Sequence, residues 1–249
     1  MEAIVLAAGK GTRMRSSLPK VLHPLHGRPL VLWSLASLGA AGVEHAVVVV
    51  GHGADQVEAR VRAASDPRIP PVTFALQRAQ RGTGDALRVG LEGVRDPASI
   101  VVVVPGDVPG LRPATVEAVA RQVAQGAALG LVAFRPADPT GYGRVVTGGG
   151  GAVWRIVEEA DATEAERALD LCNAGVYAAR GRDWARWTEG LTPDNAQGEF
   201  YLTDVVELAA AAGPVRWIEA PAREVFGIND PAQLAQAHAW VDPPDPAGA

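Results

Sequence analysis

Cysteine is almost missing from this 249-residue chain: Cys172 is its one example, so no disulfide can form within it. That fits a reducing compartment, the cytoplasm. Cys172 lies in the apolar run LCNAGVY, which suits a small buried hydrophobe better than a reactive thiol. Long apolar runs are missing too. AVVVV at 46–50 and IVVVV at 100–104 have strand length, well short of the roughly 20 residues that span a bilayer. The N-terminal apolar run stops at Ala8 behind an acidic Glu2, which is not a signal-peptide pattern. A soluble chain with no membrane partner is expected. Nor is there an excess of positive charge: 23 Lys and Arg against 28 Asp and Glu leave a net −5. This excludes the broad basic face that a nucleic-acid partner requires. No repeat recurs at a fixed period, and no histidines have metal-ligand spacing. Lysine occurs only at Lys10 and Lys20, and asparagine only at Asn173, Asn195 and Asn229. Residues so sparingly used are worth following.

What is present is an alternation. Apolar runs at 3–7, 46–50, 72–76, 100–104 and 128–134 read as strands, with helical patterns at 29–41, 54–64, 84–93 and 113–125 between them. Strands that are apolar throughout and separated by helices form a mostly parallel sheet covered on both faces. The fold class is α/β, doubly wound. After residue 138 the rhythm changes to a hairpin around Gly148–Gly151, a helix at 162–169, a strand at 174–179, a helix at 203–213, a strand at 215–219 and a last helix from Asp230-Pro231. Asp204 and Glu207 have capping-box spacing. We read residues 1–240 as one domain, with a nucleotide-binding half to about residue 110, and 241–249 as a disordered tail.

The stretch AIVLAAGKGTRMRSSLPK, residues 3–20, joins the first strand to a glycine turn followed by Arg13, Arg15 and Lys20, with no acid between. Ligands of open parallel sheets bind beyond the carboxyl ends of strands, where this loop lies. Glycines at 9 and 11 let the backbone approach an anion. A Walker A loop would need glycine where Ile4 stands, and a dinucleotide fingerprint would need it at Met14. Neither familiar loop is present. Arg13 is a forked donor suited to terminal phosphates and Lys20 a compact charge suited to one phosphate.

LAAGKGTRMRSSLPKVLHPLHGRPLV resembles the signature of the sugar-1-phosphate nucleotidyltransferases, and within them the N-acetylglucosamine-1-phosphate uridylyltransferases. LQRAQRGTGDAL (76–87), PGDVP (105–109), DPTGYGRV (138–145), RIVEEADAT (155–163), CNAG (172–175), DNAQGEFYLTD (194–204) and FGIND (226–230) follow in the order of that family. The resemblance implies a Rossmann-like nucleotidyltransferase fold and transfer of UMP from UTP to N-acetylglucosamine 1-phosphate. It implies that Leu6, Ala7, Ala8, Gly9, Gly11, Thr12, Gln77, Gly82, Thr83 and Gly106 surround the nucleotide. Arg13 and Lys20 would act on the triphosphate as the catalytic pair. Asp107 and Asn229 would hold Mg²⁺, and Tyr142, Gly143, Glu158, Asn173 and Asn195 the sugar phosphate. Alternatives remain for several of these. Asn195 and Asn229 could be turn residues, Asp230 a helix cap, and only one of Glu158 and Glu159 can face a site if both lie on a strand.

The pattern departs in three places. Pro105 stands where the family usually has tyrosine, Ala174 where threonine is common, and Glu159-Ala160 replaces a more polar or basic pair. Bifunctional relatives continue into an acetyltransferase of hexapeptide repeats, which this sequence lacks, so the resemblance concerns uridylyl transfer only. Two other functions compete: nucleotidyl transfer with a different NTP or sugar 1-phosphate, and a nucleotide-sugar-binding module without catalysis. Oligomeric state is not legible.

Overall fold

The computed structural model describes residues 1–243. In chain order the elements begin with β1 (Glu2–Ala7), short 3₁₀ turns at Thr12–Met14 and Lys20–Leu22, and a ribbon of two-residue strands, β2 (Pro24–Leu25) and β3 (Arg28–Pro29). Then come α1 (Leu30–Ala40), β4 (His45–Val50), α2 (Ala54–Arg62), β5 (Val72–Leu76), α3 (Thr83–Leu91), β6 (Ile100–Pro105), α4 (Pro113–Ala124) and β7 (Leu129–Phe134). The remainder is the hairpin β8 (Arg144–Thr147) and β9 (Val153–Val157), then α5 (Glu164–Arg167), β10 (Cys172–Arg180), α6 (Gly181–Glu189), α7 (Val205–Ala212), β11 (Val215–Glu219) and α8 (Pro231–Ala237).

Nine strands form one sheet in the order β11-β7-β10-β6-β1-β4-β5, with β8 and β9 joined at its side through β10. All neighbours along that order are parallel except β10, which runs antiparallel to both β6 and β7. The expected doubly wound, mostly parallel sheet is therefore present, with one reversed strand inside it. Successive side chains of a strand face opposite ways, and the valine runs sort accordingly. Ala3, Val5, Val48, Val50, Val102 and Val104 pack with residues of α1, α2 and α4. Ile4, Val47, Val49, Val101 and Val103 pack with residues of α3, α6 and α7 on the other face. Two cores on one sheet explain why these strands read as apolar throughout.

Several expectations are corrected. The helix α6 lies in a stretch to which no element was assigned; Trp184, Trp187 and Thr188 mark its buried face, and no side chain caps its start at Gly181. Asp204 makes no side-chain capping bond, because a 3₁₀ turn at Leu202–Asp204 runs directly into α7. The capping box is instead Thr163–Glu166, at α5, which is shorter than expected. The strand at 174–179 extends to Cys172–Arg180. Asp230 does cap α8, accepting from the Gln233 N–H. Of the expected tail, Val241 packs against the cluster of Leu25, Leu30, Ile228 and Ala237, and its carbonyl oxygen lies 2.8 Å from His26 Nε2. Residues 244–249 fall outside the described residues. No helix among the described residues is long and apolar enough to cross a membrane.

At the amino ends of the central strands, buried Glu2 accepts from the Arg95 and Asp96 backbone N–H groups, from Ser99 Oγ and from His45 Nδ1, at 3.0–3.2 Å. Burial pushes its pKa up, but these hydrogen bonds outweigh burial and hold it below the usual 4.5. A carboxylate whose pKa is depressed by folding stabilises above its unfolded pKa and loses that contribution as pH falls through the folded value. Glu2→Gln should cost about 1–3 kcal/mol at pH 7, measured by urea unfolding. The gap to wild type should narrow as pH falls below about 4.

Candidate active site

β1 is the point where strand order reverses, with β4 and β5 on one side and β6 on the other. A crevice opens at the carboxyl end of such a strand, and the loop after β1 lies in it. There a cavity of about 590 Å³ is lined by Leu6 through Arg13, Lys20, Gln77, Gly82, Thr83, Asp107, Glu158, Asn173 and Asn229, among others. That volume suits a small-molecule site. The loop's path depends on Gly11, which has φ +58°; a Cβ there would sit 2.6 Å from Lys20 Cβ. The loop thus turns back against Lys20. Lys10, Arg13 and Arg15 have no ion-pair partner among the described residues, so the loop offers cations that the protein leaves uncompensated.

Lys20 differs. Its ammonium bonds the Asp107 carboxylate and lies 3.0 Å from Asn229 Oδ1. Asp107 follows the end of β6, and its carbonyl accepts from the Ile228 N–H at 3.0 Å, which brings the 226–230 loop alongside. The Asn229 amide is oriented by its Nδ2, which donates to Gly227 O at 3.2 Å, leaving Oδ1 toward Lys20. Its backbone N–H donates to Gln233 Oε1 on α8 at 2.7 Å. One carboxylate and one amide oxygen therefore converge on a cation, a donor set that suits a hard divalent ion retaining phosphate and water ligands. No group of three or more His, Cys, Asp or Glu with metal-binding geometry occurs among the described residues.

On one side of this cluster the wall consists of amides. Gln77 is buried and its Nε2 donates to Gly82 O and Asp85 Oδ2. Gln80 Nε2 donates to Ala8 O at 2.7 Å, tying the wall to the loop. Gly82 has φ +110°, and a Cβ on it would meet Phe200 O at 2.5 Å, so residue 82 must be glycine for the 200 segment to pack there. Thr83 Oγ1 accepts from the Leu202 N–H.

The lining also includes Glu158. Glu158 accepts from Thr203 Oγ1 at 2.9 Å; burial raises its pKa, the Thr203 bond only partly opposing this. Glu159 turns away and pairs with buried Arg144 at 2.8 Å, so one of the two adjacent glutamates faces the cavity. Asn173 Oδ1 accepts from the Gly175 N–H where β10 shifts register, and its own N–H donates to Gly143 O.

Four expected residues do not line the cavity. Gly106 lies behind it, its N–H on Leu6 O. Gly143 lies beside Glu158, a Cβ on it coming within 3.4 Å of Glu158 Oε2. Tyr142 packs edge-on against Phe134 at 4.9 Å. Asn195 is a loop brace, accepting from the Gln197 and Glu199 N–H groups and donating to Glu199 O. Cys172 is buried, and burial pushes its thiol up to about 11. Conversely, Gln80, Tyr177, Glu199 and Thr203 line the cavity without having been singled out for it. Lys10, marked above by its rarity, and Pro105, marked as a departure from the family, line it too. Gln80, Glu199 and Thr203 lie inside motifs quoted above; Tyr177 read simply as a strand residue.

A family model for the MobA-like NTP transferase domain matches residues 3–176. The chain belongs to that family. This MobA-like NTP transferase is similar to proteins named bifunctional protein GlmU. It is 45% identical over 237 residues to that of Chromohalobacter salexigens, covering 94% of this chain and 50% of the relative. With the Burkholderia pseudomallei protein it shares 45% over 238 residues, and with the Sorangium cellulosum protein 44% over 240, each covering 95% of this chain and 51% of the relative. The chain spans about half the length of these curated relatives.

Asp204, beside Thr203, has its pKa raised to about 6, by burial first and then by the charges of Glu158, Asp161 and Glu207. An acid whose pKa rises on folding opposes folding when ionised, fully above the folded pKa and not at all below the unfolded one. Asp204→Asn should therefore raise the melting temperature of this MobA-like NTP transferase at pH 7.5. In calorimetry across pH the gain should shrink through pH 6 and vanish below about pH 4.

Proposed function

We propose that the chain transfers UMP from UTP to N-acetylglucosamine 1-phosphate, giving UDP-N-acetylglucosamine and pyrophosphate, with Mg²⁺ as its cofactor. The observation that carries this reading is the convergence of Lys20, Asp107 and Asn229 at the carboxyl ends of β1 and β6, beside a loop of uncompensated cations. The similarity to the GlmU proteins supports uridylyl transfer in particular. We read the half up to about residue 110 as holding the nucleotide and the rest as holding the sugar phosphate.

The chemistry needs no protein base. A sugar phosphate has a second pKa of about 6 and is mostly dianionic at neutral pH, so the nucleophile is supplied ready-made. Its obstacle is the meeting of two polyanions, and the task of the site is alignment and charge stabilisation. Asp107 and Asn229 would hold the Mg²⁺, which supplies neutralisation of phosphate charge. Their two oxygens already converge on an ammonium, which fits them to a cation. In this reading Arg13 meets the terminal phosphates of the triphosphate and Lys20 the phosphate being transferred. Gln77, Gly82 and Thr83 hold the base and ribose, and Glu158 and Asn173 the amino sugar.

Pyrophosphate release across a grid of NTPs and sugar 1-phosphates with Mg²⁺ tests the reading. UTP with N-acetylglucosamine 1-phosphate should give the highest kcat/KM. Preference for another pair would assign a different transfer, and no product from any pair would leave a binding module. Lys20→Ala should lower kcat by about 10²–10³ while circular dichroism and melting show a folded chain. Undiminished pyrophosphate release in that variant would overturn the role given to Lys20.

A further inference from the structure

Gln77 follows β5, and its backbone N–H donates to Val50 O at 2.8 Å, continuing the ladder to β4 and fixing where the side chain starts. The residue is only 4% exposed, yet it forms part of the cavity wall. Its Nε2 lies 3.1 Å from Gly82 O and 2.9 Å from Asp85 Oδ2. Both neighbours can only accept, so the amide has one permissible orientation. Reversed, it would set its oxygen against a carbonyl and a carboxylate and lose both hydrogen bonds.

Asp85 is buried at 2% exposure in the first turn of α3. One of its oxygens takes Gln77 and the other accepts from Arg81 Nη2 at 2.7 Å. The 81–84 turn is fastened in turn, since Phe200 N–H donates to Arg81 O and Gly84 N–H to Phe200 O. The carboxylate is thus held from both sides. What remains of Gln77 is Oε1, which has no hydrogen-bond partner among the described residues and can only accept.

We infer that Asp85 is a positioning residue: by fixing the Gln77 amide with its oxygen toward the ligand, it makes the site select a pyrimidine whose ring nitrogen carries a proton. Uracil presents such an N–H between two carbonyls. Cytosine presents an unprotonated ring nitrogen there, an acceptor facing an acceptor, and a buried polar group left unpaired discriminates strongly. This inference rests on the reading of the amide wall as the base side of the proposed uridylyl transfer. Pattern reading from sequence would assign Asp85 to the acidic first turn of a helix, where it is favourable for the helix dipole alone.

Asp85→Asn tests it. An asparagine can donate to Gln77, so the amide is no longer held in one orientation. The UTP-over-CTP ratio of kcat/KM should fall about tenfold or more, mainly through KM for UTP, with KM for the sugar 1-phosphate unchanged. Calorimetric titration of UDP and CDP should show the same narrowing without turnover. A wild type that does not prefer UTP would overturn the base-side reading itself. A wild type that prefers UTP, with the ratio intact in a folded Asp85→Asn chain, would overturn the role of Asp85 alone. Should Asp85→Asn not fold, Arg81→Gln, which frees one side of the carboxylate from an exposed position, should lower the ratio several-fold; no change there would also overturn it. A merely structural role would lower activity with both nucleotides and leave the ratio alone.

Discussion

The ammonium of Lys20 held between the Asp107 carboxylate and the Asn229 amide joins chain positions 20, 107 and 229, and much of the architecture is needed to permit it. β1 and β6 must be adjacent and parallel so that the segments leaving them meet at one edge of the sheet. The C-terminal part of the chain must then return across that edge. It does so because Ile228 and Ala237 pack with Leu25 and Leu30, burying apolar surface just beyond Lys20. The Asn229 N–H is held by Gln233 of α8, the helix that Asp230 caps. A segment remote in sequence from Lys20 thus supplies one oxygen to it, aimed by the bond from Asn229 Nδ2 to Gly227 O.

Around that point the cavity is divided by charge. Exposed cations without partners cost little, because water solvates them, and Lys10, Arg13 and Arg15 are of that kind. A half-buried glutamate is different. Desolvation raises the pKa of Glu158, and one hydrogen bond from Thr203 does not cancel it. An unrelieved electrostatic cost inside a cleft is a mark of a functional position. The third wall, built from Gln77, Gln80 and backbone groups, is neutral and fixed in direction by its internal hydrogen bonds. Cationic loop, glutamate and amide wall come from three different parts of the chain and bring three different kinds of surface to one cavity.

Much of this was legible in the sequence because it lies in the pattern of strands. Valine runs broken by helices predict the parallel sheet, and the loop after the first strand must then lie at its carboxyl edge. The scarcity of lysine and asparagine drew attention to Lys10, Lys20, Asn173, Asn195 and Asn229, of which all but Asn195 line the cavity. What was hidden depends on tertiary packing. α6 is recognisable only once Trp184 and Trp187 have a sheet face to cover. Asp204 has cap spacing but sits in a 3₁₀ turn that leaves its carboxylate without the expected N–H. Asn195 shares a motif with cavity residues and yet spends all its hydrogen bonds within its own loop. A motif shows that a segment belongs near a site; it does not say which of its side chains faces inward.

The two ends of β1 show how one strand serves both stability and chemistry. At its start, Glu2 is buried, and donors from His45, Ser99 and the 95–96 backbone are directed at it, so its carboxylate is satisfied by internal hydrogen bonds. At its end the chain turns through Gly11 and leaves cations unmatched. Parallel strands enforce this asymmetry, since all their amino ends lie on one edge and all their carboxyl ends on the other. The amino edge can be closed by internal hydrogen bonds without cost to a ligand. At the carboxyl edge the chain departs from the local rules of satisfied charge and relaxed backbone, and the cavity is where those departures meet.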